Sequence, residues 1–565
     1  MGNIDQAKTE VIGTDLLILG GGIAGCFAAI KGRELKLDVT LVDKGNVGRS
    51  GLSPMMSGVL SYFDPKEDNH DDWYRECVEA SEWLSDQEML DGMINQTTEC
   101  VNHLIDWGAR FQTENGKLIR KPMVGHIHGR NAMMTHGGLQ LMAILRGEVL
   151  RRGARVLERV MATDLLSSDG ELPTKGRITG AVGFNVRNGK FFVIRAKATV
   201  LATGMTSVVL LRSPANGLSG DGRAMAFRAG CEMRNIDLSQ YSPHPAGFNC
   251  APGLNIVAGE GSILVNNKGE RFLKKWDQIR MERATRVVIC KAITTEELEK
   301  RGPAYFDATH LDESSHEKFE KCIPIVVRTL ELGGLSFRKD KIPYAPDLVN
   351  LEAGGIRTNR EKATTVPGLY AIGDASDHGE MGVTELITPG IASAIEGYRA
   401  AEAAAGFAGG IEEPAVNKEQ VKVFKEQVFA PLARKSGLGH LEVKQHCKNI
   451  LASGLLGPAK NEKGLKEAIG MAKVIRDLEI PRLKAHNYHE LAASIGLANG
   501  LTFLELYGHC SLVRKESRGS HWRTDFPEKD NMNWLKWVIA RKEGTGIKTW
   551  AEQVPFEKYP LKPDF

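Results

Sequence analysis

The chain has 565 residues, enough for roughly three to four domains at about 150 residues each, so a lone binding module is excluded. Apolar residues make up 42% and charged residues 25%, an ordinary globular composition, and the net charge of +3 is too small to draw nucleic acid or a membrane surface by field alone. Nine cysteines, none in a C-x-x-C pair, read as reduced thiols of a cytoplasmic protein and argue against an iron-sulfur cluster ligated within the chain.

The opening MGNIDQAKTEVIGTD has no secretory leader pattern, and no run of 18 apolar residues follows anywhere. Residues 14–19 (TDLLIL) predict a buried strand that runs into Gly20, Gly22 and Gly25, then a helix, then a second strand at 37–42 ending on Asp43. Strand, glycine turn, helix, strand and acid in that order open a dinucleotide-binding unit. Helices are expected over 70–109 and 137–152, and strands over 153–203, the last stopping at Ala202-Thr203-Gly204. Gly220-Asp221-Gly222 starts another helix, whose amides suit an anionic or polar ligand atom. The composition then shifts over 246–349, read as an inserted mixed α+β segment. Glycine-bounded strands return in GGIRTN and VPGLYAIGD, followed by a helix over 391–407 and a linker over 408–414. Helical segments fill the remainder, with an irregular tail whose Trp534, Trp537 and Trp550 read as docking anchors.

Taken together, the glycine loop at 20–25, GDGRAMAFRAG, NNKGERF, GGIRTN, GLYAIGD and ESRGSHWRTDFP resemble, across nearly the whole chain, the flavoprotein family of fumarate reductase, succinate dehydrogenase, L-aspartate oxidase and the adenylylsulfate reductase alpha subunit. The resemblance implies an α/β architecture: a Rossmann-like FAD-binding domain in two parts, 1–245 and 350–410, a capping domain at 246–349, and a C-terminal helical domain at 411–565. FAD is the implied cofactor. Gly20, Gly22 and Gly25 would admit its pyrophosphate to the helix start, and Asp43, followed by Lys44, would accept from its ribose. Arg49-Ser50-Gly51 falls where relatives hold the isoalloxazine. Several of them attach it through a histidine at the position of Gly51, so this chain reads as a non-covalent flavoprotein. Ala202, Thr203, Gly204, Asp221, Gly373 and Asp374 complete the expected cofactor set, with Asp374 on the ribityl chain.

For catalysis the family uses a cap arginine. Its best match here is Arg286, with Arg283 one turn before it, and a plain interdomain salt bridge is the alternative for either. The dicarboxylate-binding residues of the fumarate and succinate enzymes are replaced: Ser242 stands for one histidine, Asn350 for another, and the late arginine is missing from the segment 378–385. His244 and His378 are the expected pocket histidines, with Glu380 and Glu385 beside the latter. His126 with His128, and His486 with His489, lack a third ligand, so no metal site is expected. ESRGSHWRTDFP reads as a salt-bridged interface able to hold Arg518, His521 and Arg523 near the flavin edge.

The function expected from this set is an FAD-dependent oxidoreductase acting on a small substrate, with an iron-sulfur protein as electron partner. An adenylylsulfate reductase alpha subunit, or an accessory electron-transfer flavoprotein with no substrate of its own, are the two alternatives.

Overall fold

The computed structural model describes residues 9–121, 130–209, 217–248, 261–350, 354–379 and 386–564. His126, His128, Glu380 and Glu385 lie outside the described residues.

A central sheet is built on strand Thr9–Leu19, which is flanked by two parallel neighbours, Val39–Asp43 and Phe191–Leu201. Its end, Leu16 to Leu19, is fully buried, as expected of a parallel strand covered on both faces. Arg155–Glu158 extends the sheet beyond Val39–Asp43. On the other side Phe191–Leu201 has two partners in succession. Its first half pairs antiparallel with Ile178–Asn185, and its last three residues pair parallel with Leu369–Ala371. A strand from residue 369 therefore enters the same sheet as one from residue 9, with its carboxyl end on the same side.

Helix Ile23–Glu34 follows the first strand directly and packs beneath helix Pro389–Gly409. Their closest approach needs Gly397, where a Cβ would fall 2.6 Å from the carbonyl oxygen of Ala24. Between the two halves of this body lies a second, antiparallel sheet of Gln240–Pro245, Ile263–Val265, Ala304–Asp307 and Ile342–Asn350. It packs with helices Arg286–Leu298, Glu313–Cys322 and Pro324–Leu332 around its own apolar core, which includes Phe272, Ile293, Phe306, Phe319 and Tyr344. The sheet takes in Gln240–Pro245, upstream of the composition change at residue 246.

The C-terminal part is helical, with the 26-residue helix Tyr488–Val513 as its buried axis. The tail is not irregular: Lys536–Glu543 and Gly546–Gln553 form a hairpin whose first strand joins Met233–Arg234 and, through it, Gly355–Ile356. Trp537 acts as an anchor here, its indole N–H donating to the Leu84 carbonyl at 2.8 Å while the Arg234 guanidinium lies 4.6 Å from its ring centre. Among the described residues no helix is long and apolar enough to cross a membrane.

Charges are buried in unusual number where the helical part meets the rest. Arg514, Glu516 and Arg518 are all fully buried. Arg518 forks onto Glu516 at 2.7 and 2.9 Å, and Arg514 bonds Asp237 at 2.6 Å. The ESRGSHWR segment is thus an internal ion-pair network. Beside it Lys460 is 1% exposed and donates to the Tyr507 hydroxyl at 3.1 Å, which is itself 2.9 Å from the Tyr241 hydroxyl. Burial pushes the Lys460 amine down to about 7, with Asp237 opposing and Arg523 and Lys291 adding to the shift. In the unfolded chain the amine titrates near 10.4, so between those values the unfolded state holds the extra proton and Lys460 makes stability rise with pH. The stability difference between wild type and Lys460→Met, measured by chemical denaturation, is expected to move by about 2 kcal/mol toward the wild type between pH 7 and pH 9. Parallel curves would contradict this assignment.

A dinucleotide cavity at the strand ends

The carboxyl ends of Thr9–Leu19, Val39–Asp43, Phe191–Leu201 and Leu369–Ala371 meet around a cavity of about 630 Å³. Open parallel sheets bind ligands at this edge, because there the helix starts and the inter-strand crevice coincide. Its wall contains Gly20, Gly22, Asp43, Lys44, Arg49, Ser50, Gly51, Ala202, Thr203, Gly204, Asp221, Gly373 and Asp374. Gly25 is the one residue of the expected cofactor set outside the wall.

The glycines divide into two kinds of work. Gly20, at φ +112°, sits where a Cβ would meet the Ala202 carbonyl at 2.1 Å, and a Cβ on Gly25 would meet the Gly20 carbonyl at 1.9 Å. These two let strand, helix and neighbouring strand close up. Gly22 is different: its only near neighbour is the Ser53 hydroxyl at 3.0 Å, so its Cβ position opens to the cavity. Helix Ile23–Glu34 has no side-chain cap and no acidic residue in its first turn, while Lys31 and Arg33 occupy its last. The Ile23 amide donates to the Ser53 hydroxyl at 3.2 Å, and the rest of the first turn with its positive dipole end is left for a phosphate, so the cradle fits the pyrophosphate of FAD.

Asp43 lines the cavity and also has partners within the protein. One carboxylate oxygen accepts from the Gly21 amide at 2.8 Å, and the other accepts from the Gly45 amide at 2.7 Å and the Ser50 hydroxyl at 2.9 Å. The acid thus ties the glycine loop to the loop after the second strand while still lining the cavity. Lys44 and Asp221 are partners at 2.8 Å, and Lys44 also donates to Ser219 at 2.6 Å. Burial raises the Asp221 carboxyl, but Lys44, Ser219 and Asn499 outweigh it and hold the group below its ordinary value. Gly222 donates its amide to the Thr203 hydroxyl at 3.1 Å, so this amide braces the wall, while Asp221 beside it lines the cavity. Arg49 and Gly51 are exposed at the rim, and Gly51, at φ +76°, has only Leu218 near its Cβ position, at 3.9 Å.

The expected catalytic residues are not gathered with this set. Arg286 is the first residue of helix Arg286–Leu298, capped by Thr285. It is half-buried, with no hydrogen bond or ion pair among the described residues. Arg283 is exposed in the short turn before it. His244 is buried on strand Gln240–Pro245, on the same strand face as Ser242, whose hydroxyl has no partner among the described residues. Helix Arg286–Leu298 packs against this strand. His378 is 3% exposed and stands behind the cavity wall, not in it. Sequence reasoning missed what surrounds it: Glu396 and Lys362, both fully buried. The available signal was Glu396 at the helical phase of the buried Ala392 and Ala400. Among the described residues no cluster of ligating side chains could hold a metal.

Two glycine substitutions separate the cradle from the packing. Gly22→Ala is expected to leave the fold intact and to weaken FAD binding at least tenfold, read by flavin fluorescence on dilution. Gly25→Ala is expected to lower the melting temperature of the whole protein. Equal effects of both on FAD and on melting would contradict the division.

Residues 15–387 match the FAD binding domain family and residues 453–564 match the fumarate reductase flavoprotein C-terminal family. One component of the CoM/CoB fumarate reductase of Methanothermobacter marburgensis is 30% identical over 95% of this chain and 98% of its own. Among solved structures, E. coli quinol fumarate reductase superposes with a TM-score of 0.88 at 23% identity, over 98% of each chain. Adenosine-5-phosphosulfate reductase in its sulfite adduct gives a TM-score of 0.81 at 21% identity, over 97% of each chain. These likenesses and the cavity agree: the chain belongs to the fumarate reductase and succinate dehydrogenase flavoprotein family and is an FAD-dependent oxidoreductase.

Proposed function

We propose that this chain is the flavoprotein of a reductase in which a small anionic substrate is closed between the FAD cavity and the segment of residues 240–350, with Arg286 as its catalytic cation. The observation that carries the reading is Arg286 itself: a half-buried guanidinium with no protein counter-charge among the described residues, at the first turn of a helix that packs on the strand bearing Ser242 and His244. A cation in that state is available to a carboxylate or other oxyanion, which it holds bidentately.

When bound, FAD supplies two-electron transfer to or from the substrate. The protein's part is to bind, orient and protonate. Gly22 and the first turn of Ile23–Glu34 hold the pyrophosphate, Asp374 meets the ribityl chain, and the open position at Gly51 suits a flavin held without a covalent bond. Arg286 orients the substrate anion and hands a proton to the carbon that receives electrons, drawing on a relay because its own pKa is high. Ser242, buried with an unused hydroxyl, offers a hydrogen bond where relatives place a histidine. That change, together with Asn350, sets the substrate apart from a plain C4-dicarboxylate.

Electrons reach the site through a partner. The described cysteines are buried singly, which supports an iron-sulfur centre carried by another protein. The Methanothermobacter relative is by name one component of a multi-chain enzyme, in keeping with such a complex.

Anaerobic turnover of reduced viologen with fumarate, other unsaturated acids and adenylylsulfate tests the substrate class. Arg286→Gln is expected to keep full FAD content and lose about 100-fold to 10,000-fold in kcat, with Arg286→Lys in between. Unchanged turnover in Arg286→Gln would overturn the reading, and turnover with adenylylsulfate alone would replace it with the sulfur-type reductase.

A further inference from the structure

Behind the cavity wall four charged side chains form a chain that the reaction outlined above does not use. Asp374 lines the cavity with 19% of its side chain exposed. One nitrogen of His378 lies 3.3 Å from its Oδ1, and the other lies 3.2 Å from Oε1 of Glu396. Glu396 in turn accepts from Lys362 Nζ at 2.5 Å and from the Gly373 amide at 2.5 Å. His378, Glu396 and Lys362 are 3%, 0% and 0% exposed.

An ionised carboxylate only accepts hydrogen bonds. An imidazole bonded through both nitrogens to two carboxylates must donate from both, which makes it an imidazolium. The flanking charges agree. Burial alone would raise the Asp374 carboxyl, yet His378 and the charge of Arg223 hold it below its ordinary value. Lys362 is the buried cation paired with Glu396. Of the remaining charged neighbours, Arg223 adds a positive charge toward Asp374, while Asp377 pairs with Arg234, which also reaches Asp86 at 3.2 Å. The four side chains Asp374, His378, Glu396 and Lys362 alternate in sign, and Arg223 acts on Asp374 from outside the chain. The arrangement is locally demanding: His378 adopts φ +42°, a left-handed conformation unfavourable for a side chain with a Cβ.

We propose that His378 is a positioning residue for the flavin: as an imidazolium between Asp374 and Glu396 it fixes the Asp374 carboxylate at the cavity wall and cancels its charge, and this balance sets the flavin's reduction potential. The inference rests on Asp374 facing bound FAD, as in the reading above. Reduced FAD carries more negative charge than oxidised FAD, so an uncompensated carboxylate at the wall disfavours the reduced form and an uncompensated imidazolium favours it.

The test is a dye-coupled redox titration of the purified holoenzyme and its variants. His378→Gln is expected to weaken binding of reduced relative to oxidised FAD about tenfold, read as a fall of about 30 mV in the two-electron potential. Asp374→Asn is expected to shift the potential upward by a similar amount, and the double variant to return it to within threefold of the wild-type ratio. A role in packing alone would not give opposite signs. If His378→Gln does not load FAD, the upward shift in Asp374→Asn decides by itself. Shifts of the same sign, or none, overturn the charge chain while FAD remains bound. A wild-type protein without FAD would instead overturn the reading on which the chain depends.

Discussion

The close approach of three backbones at Gly20, Gly25 and Ala202 is the constraint on which the rest of this structure depends. With a Cβ on Gly20 or Gly25 the first strand, its helix and the strand ending at Leu201 could not sit together. Because they do, four parallel strand ends open on one cavity, and a strand from residue 369 delivers Gly373 and Asp374 to the same edge as Gly20 and Asp43. The cofactor site is thus a consequence of strand order, built from segments far apart in the chain.

A second theme is charge held away from water. Arg234, Arg514, Arg518, Glu516, Glu396 and Lys362 are each at most 1% exposed and each is paired. Buried pairs of this kind add little net stability over apolar residues, but losing one partner strands the other charge at a cost of about 3–5 kcal/mol. Their value here is geometric. Asp237 and Arg514 tie the short turn at Ile236–Leu238 to the end of the long C-terminal helix, and Arg234 ties Asp86 and Asp377 together beneath Trp537. The segment carrying Arg286 is attached to a body whose internal positions are fixed by these links.

The glycine loop and the wall of the cavity were legible in the sequence because backbone geometry demands glycine there and because an acid must end the second strand. The partners of that acid were not legible. That Asp43 also binds the amides of Gly21 and Gly45 depends on how the loop after the second strand folds back. The depth of His378 was likewise hidden, since it is set by Glu396 on a helix that begins eleven residues later. The terminal hairpin did carry a signal, alternation on both sides of the turn around Gly544 and Gly546, which tryptophan content obscured. The helix of Arg286 was readable from its motif, but the relation of that side chain to a substrate is not a local property.

A flavin seated in the strand-end cavity and held there without a covalent bond is the central claim. Acid precipitation of the purified protein followed by chromatography of the supernatant tests it most directly. One FAD per chain, released intact into solution, is the predicted result. Flavin retained on the precipitated protein, or no flavin at all, would contradict it.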